Sequence, residues 1–332
     1  MALSKKQGAV VGIAAIAVAA IVAVGAVVAL NRPAAATAAD STPEPTTAAA
    51  KVSADDVKWV EGDVVPKAVE ALKKSGFTPI EPGKLTVAVG AFVPPLSYVP
   101  DGKTLPAGTE PNIGSLIAQG LGLTYNPVVV AWADWPLGVQ SGKYDLITSN
   151  VTVTEARKDL FDFASYRQDL LGFYVKSDST ITRIEKAADI SGLKIVVGSG
   201  TNQEQVLLKW NDELKTAGKA PADLQYYDDN AAATLALQSG RVDATFGPNA
   251  ASAWAARETG ATKLVGIVPG GWPQAAAIAA GTAKGNGLIE PVNIVLDELI
   301  ANGKYAQVLK GWGLDSEGVE KSEINPPGLP KS

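Results

Sequence analysis

The sequence predicts an α/β protein built as two similar lobes, and three observations predict it. The chain has 332 residues, more than a single core usually fills. From about residue 54 onward helix and strand signals alternate, the pattern of strands covered by helices. The phrase Gln140-Ser-Gly-Lys-Tyr-Asp145 also returns as Gln238-Ser-Gly-Arg-Val-Asp243. In both, a helix ends at Gly, a basic residue follows and a strand opens at Asp. The recurrence is too short for a repeat protein, but it is what two similarly built halves would leave.

Taken in order, the chain begins with Lys5 and Lys6 and then 23 residues, 8–30, of Gly, Ala, Val, Ile and Leu without a charge. Such a run is enough to cross about 30 Å of hydrocarbon as helix. The preceding lysines favour a cytoplasmic N-terminus and an exported remainder. A secretory apolar region usually runs roughly 7 to 15 residues, so the length favours a retained anchor. The small residues at 34–39 keep a cleaved signal peptide as the alternative. Residues 1–32 therefore read as a membrane segment, and residues 33–55, rich in Ala, Thr and Pro, as a flexible linker.

Beyond the linker, strands are expected at 84–90, 126–131, 144–150, 169–176, 193–198 and 243–246. Helices are expected at 113–121, 135–142, 204–210, 231–240 and 288–302.

Composition removes whole classes of function. An apolar fraction of 46% with 19% charged residues is globular. A net charge of −5 with no long Lys/Arg run leaves no electrostatic footprint for nucleic acid. The chain has no Cys and no His. That excludes thiol nucleophiles, Ser-His-Asp triads, zinc sites of the usual ligand set and haem held by His or Cys. It also excludes disulfides and a lipid-modified cysteine. No cofactor and no metal is expected.

Three stretches carry a resemblance. They are WADWPLGVQSGKYD at 132–145, TSNVTVTEAR at 148–157 with FDFA at 161–164, and GLKIVVGSGT at 192–201. With GRVDA at 240–244 and the segment 299–312 ending in LKGW, they resemble bacterial solute-binding proteins of family 3, the polar amino-acid binding subunits of ABC importers. The resemblance implies a type II periplasmic-binding-protein-like fold, two lobes joined by two hinge crossings that close on a ligand. By that analogy lobe 1 is 56–172 with 276–320, lobe 2 is 173–275, and 321–332 is a C-terminal tail. It also implies no enzymatic activity, a small carboxylate-bearing ligand, ABC permease subunits as partners, and a monomer working outside the cytoplasm.

Arg157 is the leading site residue, because a guanidinium presents a planar fork that matches a carboxylate and stays charged when desolvated. In the family the matching arginine holds the ligand's α-carboxylate, and the preceding polar residues correspond to Asn150 and Thr152. Thr201 and Asn202 follow Gly198-Ser-Gly200 and lead into an apolar helix, so they sit where free N–H groups favour an anion. A Ser-Gly-Thr phrase also serves as a plain helix cap; the family match sets Asn202 across the cleft from Arg157. Trp132 takes the position of a side chain that faces the ligand, and Val93 stands where an aromatic lid is common. Trp135 and Trp272 read as packing residues first.

The informative departure concerns the ligand's amine. Family members present an Asp to the α-ammonium five residues after the Asp that corresponds to Asp243, and here that position is Pro248. Either Asn249 or an acid from elsewhere, Asp169, takes over, or the ligand has no ammonium. Gly90 stands where an acid serves cationic side chains in the family, which disfavours a dibasic ligand. Two rivals share the fold. One is a cyclohexadienyl or arogenate dehydratase-like enzyme, which needs a carboxyl acid such as Glu110, Glu155 or Glu204 in the cleft; the other is a ligand-sensing ectodomain.

Overall fold

Strands and helices sort into two five-stranded mixed sheets. The computed structural model describes residues 58–90, 92–227 and 229–331, all within one compact unit spanning residues 50–332. The expected membrane segment and linker lie outside the described residues. Among those described, no helix is long and apolar enough to cross a membrane.

The first sheet joins β1 (Lys84–Gly90), β2 (Thr124–Val130), β3 (Leu146–Ile147), β4 (Phe161–Gln168) and β10 (Ala277–Ala283) in the order β2-β1-β3-β10-β4. β1 runs parallel to β2 and β3, while β10 is antiparallel to β3 and β4. All of β1 after Lys84 is buried, as expected for a parallel strand covered on both faces. The covering helices are α1 (Pro66–Lys74), α2 (Thr109–Gly120), α3 (Trp135–Gln140), α7 (Ile289–Ala301) and α8 (Lys304–Trp312).

The second sheet repeats the plan. β5 (Leu170–Lys176), β6 (Lys194–Val196), β7 (Asp223–Gln225), β8 (Ala244–Pro248) and β9 (Thr262–Pro269) take the order β7-β6-β8-β5-β9. β6 is parallel to β7 and β8, and β5 is antiparallel to β8 and β9. Its helices are α4 (Asn202–Thr216), α5 (Asn230–Gln238) and α6 (Asn249–Thr259).

The recurrent sequence phrase has one structural meaning in both halves. Gly142 and Gly240 take φ of 70° and 71° after α3 and α5, a left-handed turn that costs glycine little. The Asp145 N–H then donates to the Thr86 carbonyl while its carboxylate accepts the Thr86 N–H, at 2.9 and 2.8 Å. Asp243 does the same with Lys194, also at 2.9 and 2.8 Å. Each aspartate registers its strand against the parallel neighbour.

The chain passes from the first sheet to the second at Asp169, between β4 and β5, and returns between Pro269 and Ala277. α6 follows β8 of the second sheet, yet buries Ala250 and Trp254 in the first sheet's apolar cluster, where Trp254 meets Trp312 at 5.8 Å between ring centroids. α4 outruns its expected span of 204–210 because polar residues follow Trp210, although Leu214 keeps the buried face. The strand expected at 144–150 pairs regularly only at Leu146–Ile147. Beyond it the chain bends into a loop, with Asn150 at φ 51°. Sequence periodicity assigns no element to α1, α6, α8, β4, β7, β9 or β10.

Arg167 on β4 is fully buried and forms ion pairs with Glu110 and Glu317, which are equally buried. Its guanidinium also donates to the Asn150 amide oxygen. Glu110 in turn accepts the Asn150 N–H at 2.6 Å and the Tyr166 hydroxyl. Arg167→Met would strand two carboxylates in the core. It is expected to lower unfolding free energy by roughly 3 to 5 kcal/mol in urea titration, and a loss under about 1 kcal/mol would show that the network does not hold this region.

Candidate ligand-binding site

The site lies where the loops of both halves meet the crossing at Asp169. Residues 148–157 leave β3 of the first half, and residues 198–202 leave β6 and open α4 in the second. Both loops follow the carboxyl ends of parallel strands, where open α/β sheets bind ligands.

Arg157 is half-buried. Its Nη1 donates to the Thr152 carbonyl at 2.8 Å and its Nη2 reaches the Gly200 carbonyl, in the other half, at 3.4 Å. The guanidinium carbon lies 5.4 Å from the Trp132 ring centroid and 5.7 Å from that of Trp135. Burial pushes Arg157 down to about 10, opposed by the Asp169 carboxylate. Two carbonyls and two ring faces hold the fork, and no carboxylate pairs with it among the described ion pairs.

Asp169 joins two of the other expected residues. Its Oδ2 accepts from the Thr152 hydroxyl at 2.8 Å and from Asn202 Nδ2 at 2.8 Å, and Asn202 also donates to the Gly270 carbonyl at 2.9 Å. A Cβ on Gly270 would lie 1.7 Å from Asp169 Oδ2, so the return crossing must be glycine there. Burial raises the Asp169 carboxyl to about 6; the Thr152 and Asn202 hydrogen bonds and the Arg167 charge oppose the rise without cancelling it.

The remaining candidates fall into place around these two. Thr201 caps α4: its hydroxyl accepts the Glu204 N–H at 3.2 Å and donates to the Gly198 carbonyl. The Asn150 amide oxygen is committed to Arg167, behind the loop. The Asn249 amide oxygen accepts the Tyr174 hydroxyl at 2.9 Å. Trp132 is partly exposed and tilts against Phe92 at 6.1 Å, whereas Trp135 is buried against Phe161. Phe92, beside Val93, therefore supplies the aromatic neighbour; its place next to the departure at Val93 was the available signal. Trp272 meets Trp210 edge-on at 5.8 Å, in the second half's core.

The acids of the enzyme rival are engaged elsewhere. Glu110 belongs to the Arg167 network, the Lys158 partner holds Glu155 below its ordinary range, and Glu204 accepts the Gly200 N–H at 2.7 Å. No group of acids that could hold a metal occurs among the described residues.

Two similar α/β halves whose loops meet at Asp169 have the architecture of a two-lobed binding protein. The chain belongs to the bacterial extracellular solute-binding proteins, family 3, whose pattern matches residues 85–315. It is 29% identical over 165 residues to the L-cystine-binding protein TcyJ of Escherichia coli (strain K12), an alignment that takes in 49% of this chain and 58% of that protein. The chain thus spans somewhat more than half the length of that relative. Among solved structures, an ancestral arginine-binding protein bound to arginine matches with a TM-score of 0.61 at 27% identity, over 69% of this chain and 98% of that one. The ancestral amino acid-binding protein AncCDT-1, a precursor of cyclohexadienyl dehydratase, shares the fold at a TM-score of 0.59 and 23% identity, over 74% and 98% of the two chains.

The buried carboxyl sets a pH dependence. Folded Asp169 keeps its proton up to about 6, whereas the ordinary value is 3.8, so its contribution to stability is present at low pH and lost as pH rises through 6. The stability of the wild type relative to Asp169→Asn is expected to fall by about 2 kcal/mol from pH 4 to pH 7. A flat difference across urea melts at four pH values would contradict the burial of this charge.

Proposed function

We propose that the protein is the solute-capturing subunit of an ABC importer, which closes its two lobes, joined by the crossings at Asp169 and between Pro269 and Ala277, on an amino acid or related carboxylate and delivers it to the permease. The observation that carries this reading is Arg157, a guanidinium held between the halves with no ion pair to a carboxylate among the described residues. A ligand carboxylate would complete it with two parallel charge-assisted bonds. Thr152 and the N-terminus of α4, at Thr201 and Asn202, line the same space, with Trp132 as the apolar wall. The names of the cystine- and arginine-binding relatives support an amino-acid ligand. The likeness to the dehydratase precursor is one of fold alone, and Glu110, Glu155 and Glu204 are engaged with other groups.

Asp169 takes the ligand's ammonium in this reading. Pro248 has no acid to offer and Asn249 is engaged by Tyr174, while Asp169 sits near enough to Arg157 to raise its pKa. The pair suits the two ends of an α-amino acid. Gly90 cannot be replaced by an acid without rearrangement, since a Cβ there would lie 2.4 Å from the Ser149 hydroxyl and 2.8 Å from the Phe92 ring. A second cation on the ligand would find no partner, so a dibasic amino acid is not the preferred solute.

The N-terminal apolar segment holds the protein at the outer face of the membrane, with residues 33–55 as tether. Recovery of the whole protein from culture supernatant, with a new N-terminus near residue 39, would replace the anchor by a cleaved signal peptide.

Arg157→Ala should abolish binding, and Arg157→Lys should weaken it by about a hundredfold or more, because each charge-assisted bond is worth roughly 1.5 to 3 kcal/mol and a point charge cannot form the pair. Calorimetric titration with Lys, Arg, Gln, Glu, cystine and an N-substituted amino acid supplies the ligand, and an Arg157→Ala affinity within threefold of wild type would refute the carboxylate role. Micromolar binding of Lys or Arg would refute the exclusion of dibasic ligands.

The ammonium role has its own signature. An ammonium beside Asp169 lowers a carboxyl that otherwise titrates at about 6, so binding at pH 5.5 should release a proton. Titrations in buffers of different ionisation heat measure it, and proton uptake, or no change for a ligand with a free amine, would rule Asp169 out.

A further inference from the structure

We infer that the C-terminal segment, residues 315–331, is a positioning element for the Arg157 loop, a third connection between the halves that sets where the guanidinium stands. The inference rests on the reading of Arg157 as the ligand's anchor, and its observations are independent of the ligand.

The segment first fastens to the first half. Glu317 pairs with buried Arg167, which holds Asn150 at the start of the loop. Glu323 and Ser165 exchange hydrogen bonds, the Ser165 N–H donating to the Glu323 carbonyl and the Glu323 N–H to the Ser165 hydroxyl, at 3.0 and 2.9 Å. Asn325, at φ 49°, donates its N–H to the Phe163 carbonyl and accepts the Phe163 N–H on its side chain, both at 2.9 Å. The segment is therefore laid along β4.

It then runs beside the loop. The Leu329 N–H donates to the Val153 carbonyl at 3.3 Å, and the Glu155 N–H donates back to the Leu329 carbonyl at 2.9 Å. The Gly328 N–H donates to the Glu155 carboxylate at 3.1 Å, and Lys158 donates to the Pro326 carbonyl at 3.3 Å. Contacts thus bracket Arg157 on both sides in sequence. A Cβ on Gly328 would lie 2.1 Å from the Val153 carbonyl oxygen, so the approach is as close as a backbone allows.

Finally, the Leu329 side chain is fully buried in the apolar cluster that includes Leu171 and Phe173 of β5, in the second half. A segment fixed to β4 at one end and seated in the other half's core at Leu329 cannot leave the loop free as the halves move. The loop is clamped between it and β10, where the Val153 N–H donates to the Ala277 carbonyl at 2.9 Å.

Hydrogen exchange of the full chain, followed by mass spectrometry, tests the inference without a ligand. Leu329→Ala and Gly328→Val are compared with Leu214→Ala, a substitution in the same cluster on α4 that removes none of the segment's bonds. Exchange in peptides covering 152–160 is expected to rise about tenfold or more in the two C-terminal variants, with β6 and α4 unchanged, and to stay within about twofold of wild type in Leu214→Ala. Should Gly328→Val fail to fold, Leu329→Ala decides. Loop exchange within about twofold of wild type in Leu329→Ala, or an equal rise in Leu214→Ala, would reduce the segment to core packing and overturn the inference. Neither result bears on whether Arg157 binds a carboxylate, which the titrations above read separately.

Discussion

A buried carboxylate at the crossing between the sheets is the constraint on which the site depends. Taking a carboxylate out of water costs several kcal/mol after relaxation. The Thr152 and Asn202 bonds to Asp169 return roughly 1.5 to 3 kcal/mol each. The two sides nearly balance, and a carboxyl raised to about 6 records the remaining deficit. Thr152 comes from the first half and Asn202 from the second, so the same charge that needs partners draws the two loops together. Gly270 on the return crossing closes over it.

Arg167 shows the other solution to a buried charge. Two carboxylates and an amide engage both of its terminal nitrogens, leaving only Nε without a partner among the described residues, and together they brace Asn150 and the loop behind the site. Arg157, ten residues earlier, is held by two carbonyls and two indole faces, with the Asp169 charge near it but no ion pair among the described residues. A cation on an aromatic ring is worth about 0.5 to 2 kcal/mol, depending on desolvation. That holds the guanidinium in place without quenching its charge, and burial leaves it at about 10. One arginine is paired with carboxylates and serves the scaffold; the other has no ion pair among the described residues.

The plan of two similar halves was legible in the recurrent Gly-basic-x-Asp phrase, because each copy encodes a helix stop and a strand register within six residues. Local chemistry of that kind survives in sequence. Arg157, Thr152, Asn202 and Asp169 were also legible as candidates, three from a motif and Asp169 from the gap left at Pro248. Their meeting at one carboxylate was not, since Thr152, Asp169 and Asn202 reach it from three separate stretches of chain. The same holds for Glu110 and Glu317: nothing near either residue signals Arg167, and a glutamate near a motif reads equally well as an acid for the cleft. α6 was hidden because its mix of Ala, Ser and Asn has no clear stripe, and Trp254 finds its partner Trp312 only in the folded chain.

The change at Pro248 alters more than one side chain. Pro248 is the N-cap of α6 and offers no side-chain oxygen to the first turn, so the backbone N–H groups there keep their positive end. Where the resemblance implies a negative charge, this position presents the N–H groups of a helix start. Gly90 adds no acid, and its N–H is taken by the Ser149 hydroxyl at 2.7 Å. On the proposed reading the site combines the Arg157 charge with the titrating Asp169 carboxyl, a balance that would accept an anion at low pH and a zwitterion once Asp169 gives up its proton. A second positive charge on the ligand would be buried with no further carboxylate among these residues to pair with it, at a cost that apolar contact with Trp132 and Phe92 does not recover.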